Sequence, residues 1–285
     1  MINIIKKFHI HPLFWVIIGI GIVTGNFREI FMLFFIVIIH EMGHASAAHF
    51  FSWRIKRIEL LPFGGVAEMD EHGNRPLKEE LLVILAGPVQ HIWLIGAGYL
   101  LQSFSVISEA AFSLFLFHNV VIALFNLLPI WPLDGGKLLF LLLSINYSFI
   151  VAHKWMISLS LINLLIFSIG FILYTPYHLN LWFVAFFLLF SIIMERRQRH
   201  YVFMRFLLER YYGKQVSFTK LQPLIVQDYE KLQHILMKFQ RGCKHPIIVE
   251  KDNRQNSPID ENELLHAYFV EKQISAQIGE ILYTY

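Results

Sequence analysis

The sequence predicts an α-helical polytopic membrane protein with about six transmembrane helices, followed by a C-terminal cytosolic α/β domain. Three observations carry that expectation. Hydrophobic residues make up 56% of the 285 and charged residues only 16%, against about 25% charged in an ordinary soluble domain. Apolar stretches of spanning or near-spanning length recur as far as Met194. After Arg199 the composition turns soluble, so a membrane-embedded part at 1–199 is divided from a cytosolic part at 200–285. The net charge of +3 is too small to imply a nucleic-acid partner, and the single cysteine, Cys243, excludes an internal disulfide and reads as a small buried hydrophobe.

The expected spans are Pro12–Thr24, Ile30–Phe51, Leu81–Leu101, Ala110–Pro129, Trp155–Thr175 and Leu179–Met194. The first is short and follows Lys6 and Lys7, as in a signal peptide. Thr24-Gly25-Asn26 offers no small-residue cleavage site, so an uncleaved span is expected. The third is interrupted by Gly87-Pro88 and the fourth by Asn119 and Asn126, breaks that are tolerated against protein or a wet cavity. Lys6, Lys7, Arg54, Lys56, Arg57, Arg75, Lys78, Lys137, Lys154, Arg196, Arg197 and Arg199 all fall on one side of this arrangement. The positive-inside rule then makes both termini cytoplasmic.

Within the second span stands His40-Glu41-Met42-Gly43-His44. Two His four residues apart share one face of a helix and can both ligate zinc, and the Glu between them can serve as general base toward water at the metal. Charged and ligating side chains in hydrocarbon are costly without such a task. At the end of the fourth span, Asn126-Leu127-Leu128-Pro129-Ile130-Trp131-Pro132-Leu133-Asp134-Gly135-Gly136 sets one carboxylate among prolines and glycines, where the backbone leaves the helix and can turn a side chain inward. A catalytic zinc takes three protein ligands and keeps one position open, so Asp134 is the natural third ligand beside His40 and His44, with Glu41 left as base. The other reading of Asp134 is a cap for the helix that resumes at Lys137. Asn126 reads equally as a donor to substrate backbone or oxyanion and as interhelical glue.

Between the second and third spans, Arg54–Met69 alternates like a hairpin broken by Pro62 and Gly64-Gly65. Its edge could take a substrate as an added strand, with Gly64 and Gly65 as contacts, or it is an ordinary interfacial hairpin. His49, His72, His118 and His153 are expected to be interface, loop or helix-end residues. In the tail, Leu221–Val226 reads as a strand, Asp228–Gln240 as a helix capped by Asp228, His245–Val249 as a second strand, and Ile259–Tyr268 as turn and helix. That order resembles a cystathionine-β-synthase (CBS) domain. A single copy would leave a pairing face uncovered and dimerise between chains. The resemblance implies ATP or a related nucleotide as ligand, although no glycine-rich phosphate loop is present; the alternative is a docking platform for a cytosolic substrate.

HEMGH in an early span and NLLPIWPLDGGK at the end of a later one resemble the paired signatures of the site-2 proteases, zinc metalloproteases that cut within membranes. Pro62-Phe63-Gly64-Gly65, Ala86-Gly87-Pro88 and the basic stretch RQRHYVFMRFLLERYYGK are similar to the sporulation branch of that family. The resemblance covers essentially the whole chain. It implies a zinc cofactor held by His40, His44 and Asp134, Glu41 as catalytic residue, a protein substrate in the precursor of the mother-cell sigma factor sigma-K, membrane-protein regulators, and a place in the mother-cell membrane around the forespore. The rival class is a catalytically silent membrane adaptor or a metal transporter. Transport brings internal repeats and polar residues in several spans, which the sequence lacks, and has no use for Glu41.

Overall fold

The protein is described here by a computed structural model covering residues 8–10, 18–19, 23, 25, 27–61, 64–69, 75–174, 177, 179–213, 218, 220–251, 254–255 and 258–282. It divides into two compact units, one formed by Met1–Glu71, Lys78–Leu138 and Leu159–Ile192, the other by His72–Leu77, Leu139–Ser158 and Ile193–Tyr285. Helices α1 to α6 span Phe27–Phe50, Leu77–Ser103, Glu109–Asn126, Asp134–Asn146, Phe149–Tyr174 and Leu179–Tyr212. Among the described residues all of these except α4 are long and apolar enough to cross a membrane, matching the second to sixth expected spans. The first, Pro12–Thr24, lies mostly outside the described residues.

In the first unit the helices bury what a soluble protein would expose. On α3 the one buried residue is Asn119, while Phe117, Val121 and Leu124 are exposed. On α1 the interior face carries Ile36, His40, Glu41, Gly43, His44, Ala45 and Ala48, while Phe31 and Phe35 point outward. Hydrocarbon solvates apolar side chains, so burying them gains nothing; close packing of small residues and satisfaction of polar ones decide which face turns inward. Ala45 and Ala48 of α1 accordingly pack with Val83 of α2 and with Trp53, whose indole N–H donates to Glu79 at 3.1 Å. Contrary to the expected interruption, α2 is continuous through Gly87 and Pro88, and α3 through Asn119. A missing N–H inside a packed membrane helix does not end it.

The expected hairpin forms from β2 (Ile55–Leu61) and β3 (Gly64–Met69), antiparallel with Leu61 opposite Gly64 and Leu60 opposite Gly65. An unexpected strand β1 (Phe8–Ile10) pairs in parallel with β2, giving the order β1-β2-β3. One edge of the hairpin is thereby covered, and the outer edge of β3 takes no strand among the described residues.

In the second unit α6 continues from Met194, its expected end, to Tyr212. The added turns are amphipathic: Phe203, Phe206 and Leu207 are buried, and Arg205 pairs with Glu209 one turn on at 3.3 Å. The 199/200 boundary therefore falls within a helix. The tail comprises β4 (Lys220–Leu221), β5 (Leu224–Gln227), α7 (Leu232–Leu236), β6 (Cys243–Lys244), β7 (Ile247–Lys251), β8 (Arg254–Gln255), α8 (Glu261–Phe269) and α9 (Ile278–Leu282). β4 pairs in parallel with β6, and β5 with β7. The first expected strand is split at Pro223, and the second begins only after Pro246, as β7, and runs on to Lys251; a proline lacks the N–H a continuous ladder needs.

The expected helix Asp228–Gln240 is shorter, and Asp228 does not cap it: α7 starts after Lys231, with no side-chain cap. Backbone pairing explains this. Residues 228–229 form a turn, with Glu230 N–H donating to Gln227 O at 2.9 Å. Gly279 N–H donates to Asp228 O, Ile278 N–H to Glu230 O and Leu232 N–H to Ala276 O, at 2.9 to 3.0 Å, so the carbonyls of 228 and 230 are taken by the start of α9 rather than by a helix of their own. Asp260 does cap α8, accepting from Asn262 N–H at 2.9 Å. The core joins Phe149, Phe203 and Phe206 to Val226, Leu232, Ile235, Phe239, Ile247, Val249, Leu264 and Leu265, with Cys243 also buried. His153, near the start of α5, is buried, its Nε2 2.8 Å from Glu195 Oε1.

Inside that core Arg210 donates to both Glu261 oxygens, Nη2 at 2.7 Å and Nε at 3.2 Å, and to the carbonyls of Gln240 and Cys243. Glu261 also accepts the His245 N–H at 2.8 Å. Burial pushes the His245 imidazole below its ordinary pKa. The ring is spoken for as the neutral form: Nδ1 lies 2.9 Å from the Gln222 carbonyl, and Nε2 accepts the Gln240 N–H at 2.9 Å.

Candidate metal centre

α1 delivers His40, Glu41 and His44 together because the helical repeat stacks residues four apart. All three are buried, and a ligand atom from each lies within 4.8 Å of the others. α4 delivers the fourth residue. Asp134 is its first residue, 3% exposed, and its Oδ2 stands 3.0 Å from His40 Nε2 and 3.0 Å from His44 Nε2. The two imidazole nitrogens are 3.1 Å apart. Asp134 Oδ1 is held by the Lys137 ammonium at 3.0 Å. Both carboxylate oxygens therefore face side chains, not the free N–H groups of their own helix.

Close backbone approach makes this convergence possible. A Cβ on Gly135 would lie 2.2 Å from the Leu127 carbonyl oxygen and 2.3 Å from that of Leu128, so only glycine lets α4 start tightly against the end of α3. The Trp131 N–H, in the intervening turn, is taken by Ser160 Oγ at 3.0 Å. A Cβ on Gly87 would lie 2.2 Å from His44 Nε2 and 2.8 Å from His40 Cε1. Gly87→Ala is therefore expected to push His44 aside and lower metal affinity roughly tenfold or more, as second-layer changes around ligands commonly do. Metal titration of the purified variant checks this, and wild-type affinity would contradict it.

The donor set fits zinc. Two neutral imidazoles and one carboxylate match catalytic zinc sites, and edges of 3.0 to 3.1 Å approach the roughly 3.3 Å edge implied by tetrahedral bonds of about 2.0 Å. His44 Nδ1 lies 2.8 Å from the Val83 carbonyl, which only accepts, so its proton sits there and Nε2 offers a lone pair to the cluster.

Of the other candidates, His72 lies outside the described residues. Asn126 Nδ2 donates back to the Ile122 carbonyl at 3.1 Å. Gly64 and Gly65 begin β3. His49 is exposed, and His118 carries a buried Nε2 with no hydrogen bond. The sequence does not single out His91, and it marks Lys137 as a charge on the cytoplasmic side and as the point where a helix resumes. His91 Nε2 is 3.0 Å from His40 Nδ1, and its Nδ1 is 2.8 Å from Asn119 Oδ1. No local signal marks His91: it follows Gly87 by one helical turn, on the face that the fold presses against the HEMGH helix.

Comparison with known proteins places these residues in context. Residues 28–108 and 101–169 match peptidase family M50. The chain is 50% identical over 284 residues to stage IV sporulation protein FB of Bacillus subtilis (strain 168), covering 100% of this chain and 99% of that protein. It is 36% identical over 146 residues to a zinc metalloprotease of Methanocaldococcus jannaschii, covering 49% of this chain and 42% of the relative. Among solved structures, the site-2 protease from Methanocaldococcus jannaschii superposes with a TM-score of 0.54 at 29% identity, covering 66% of this chain and 89% of that one.

Proposed function

Given that the chain belongs to peptidase family M50 and is a membrane zinc metalloprotease of the site-2 type, we propose that it removes the pro-sequence of the sporulation sigma factor sigma-K and so activates mother-cell transcription. The full-length likeness to stage IV sporulation protein FB supports this substrate. The observation that carries the catalytic reading is the convergence of His40 Nε2, His44 Nε2 and Asp134 Oδ2 within 3.1 Å, beside buried Glu41.

In this reading His40, His44 and Asp134 hold zinc. When bound there, zinc supplies Lewis acidity toward water and toward a carbonyl oxygen. Glu41 takes the proton of the attacking water and returns it to the amine nitrogen as the peptide bond breaks. Lys137 holds Asp134 Oδ1, leaving Oδ2 turned to the His pair. Asn126 has a second Nδ2 hydrogen for substrate carbonyl or oxyanion, and β3, through Gly64 and Gly65, receives the substrate as an added strand.

The membrane-embedded protease is assigned to 1–199 and a CBS-like cytosolic domain to 200–285, with both termini cytoplasmic by the distribution of Lys and Arg and the enzyme in the mother-cell membrane around the forespore. The order β5, α7, β7, α8 supports the CBS-like reading. Pairing of that domain between chains, ATP as its ligand, and control by membrane-protein regulators extend the same proposal.

The test is co-expression with the sigma-K precursor and metal analysis of the purified enzyme, for wild type and Asp134→Asn. The variant is expected to lose most of its zinc and to cleave at background, because an amide is a far weaker ligand than a carboxylate. Full zinc occupancy in Asp134→Asn would return Asp134 to the role of a helix-start residue.

A further inference from the structure

A metal ligand can bind through Nε2 only if its proton is kept at Nδ1. For His44 a backbone carbonyl settles this, as described above. His40 has no such carbonyl. Its Nδ1 faces another imidazole, His91 Nε2, at 3.0 Å, and an imidazole nitrogen can donate or accept. The choice is made one residue further out. His91 Nδ1 lies 2.8 Å from Asn119 Oδ1, while Asn119 Nδ2 is turned to the Phe115 carbonyl at 3.5 Å. An amide oxygen only accepts, so His91 carries its proton on Nδ1 and presents a lone pair at Nε2. His40 then donates from Nδ1, and its own Nε2 is left bare toward Asp134 Oδ2. Reversing the Asn119 amide would reverse every proton in the row and place a hydrogen on His40 Nε2, where it would block a metal.

His91 is 2% exposed and Asn119 0%. Asn119 is the one residue that α3 buries, and on α2 His91 is buried together with Val83, Ile84, Gly87, Leu94 and Gly98. Polar side chains at membrane depth are costly and need partners; these two are each other's partners and end on His40, a ligand in the proposed centre. We infer that Asn119 and His91 form a directional hydrogen-bond relay that fixes the tautomer and ring plane of His40. They are positioning residues for the metal, acting through His40. The relay rests on the assignment of His40, His44 and Asp134 as ligands, and extends it from α1 and α4 to α2 and α3.

The experiment measures the zinc dissociation constant of the full chain, purified in detergent, by competition with a chromophoric chelator. Wild type, His40→Ala, His91→Leu, His91→Gln and Asn119→Leu are compared. His91→Leu keeps apolar bulk but removes the acceptor, and is expected to weaken zinc binding about 10- to 100-fold. His91→Gln can set its amide oxygen near the former Nε2 and is expected to recover most of that loss, a rescue that a packing role would not produce. Asn119→Leu frees His91 to take either tautomer and is expected to give a smaller loss than His91→Leu. Equal affinity of His91→Leu and wild type would overturn the relay, as would a loss in His91→Gln as large as in His91→Leu. If wild type bound no zinc, or His40→Ala bound it as tightly as wild type, the ligand assignment itself would fall and the relay with it. Where His91→Leu fails to fold, Asn119→Leu against wild type carries the test alone, and unchanged affinity there overturns the relay.

Discussion

Glu41→Gln is expected to keep zinc at wild-type stoichiometry while cleavage of the precursor falls about 10²- to 10⁴-fold, the range that a positioned general base supplies. The substitution is nearly isosteric, so helix α1, its packing and the three proposed ligand atoms are unchanged. Only the capacity to accept a proton is lost. The carboxylate sits in the same buried cluster as the two His, within 4.8 Å, close enough to serve water at the metal. Metal analysis and single-turnover cleavage on one preparation separate the possibilities. Loss of zinc with activity would make Glu41 a ligand, and near-normal cleavage would put the base elsewhere.

Arg210→Ala is expected to destabilise the tail fold by about 3–5 kcal/mol, the cost of breaking a buried ion pair by removing one partner. Arg210 and Glu261 side chains are 0% and 1% exposed. Without the guanidinium, Glu261 keeps only the His245 N–H as a donor, and the Gln240 and Cys243 carbonyls each lose one. The loss should appear as faster hydrogen exchange at Ile247, Ile248 and Val249, in the strand at the centre of that core. A double variant, Arg210→Met with Glu261→Leu, removes both charges together and is expected to recover much of the protection. Exchange in Arg210→Ala as slow as in wild type would refute the assigned importance of the pair.

The parts of the molecule legible in the sequence are those written locally. HEMGH carries its geometry in a four-residue spacing, and the spans announce themselves by length and composition. The Leu133-Asp134-Gly135-Gly136 turn shows its tightness in its own glycines. His91 was illegible because its meaning lies in contacts 51 residues back and 28 residues ahead, and a histidine three residues after a proline in an apolar run carries no local mark. The tail helix was misjudged for a related reason. Residues 228–231 have no local bar to helix, and the backbone partner that takes their carbonyls arrives almost fifty residues later, at 276–279, where α9 begins. The continuation of α6 is masked by the charges at Arg196, Arg197 and Arg199, beyond which the apolar stripe resumes at Phe203.

The separation of Asp134 from His44, 90 residues along the chain, makes the centre a late product of biosynthesis. A ribosome adding about 5–20 residues per second reaches Asp134 some 5–18 s after His44. During that interval the HEMGH helix can be made and inserted with its proposed carboxylate partner still unwritten, so it would offer a metal two imidazoles in place of the full set. On the proposed ligand assignment, capture and retention of the ion would be coupled to insertion of the later helices. A chain truncated before α4 would be an inactive metal-poor precursor, and the enzyme would come into being only once its membrane topology is nearly complete.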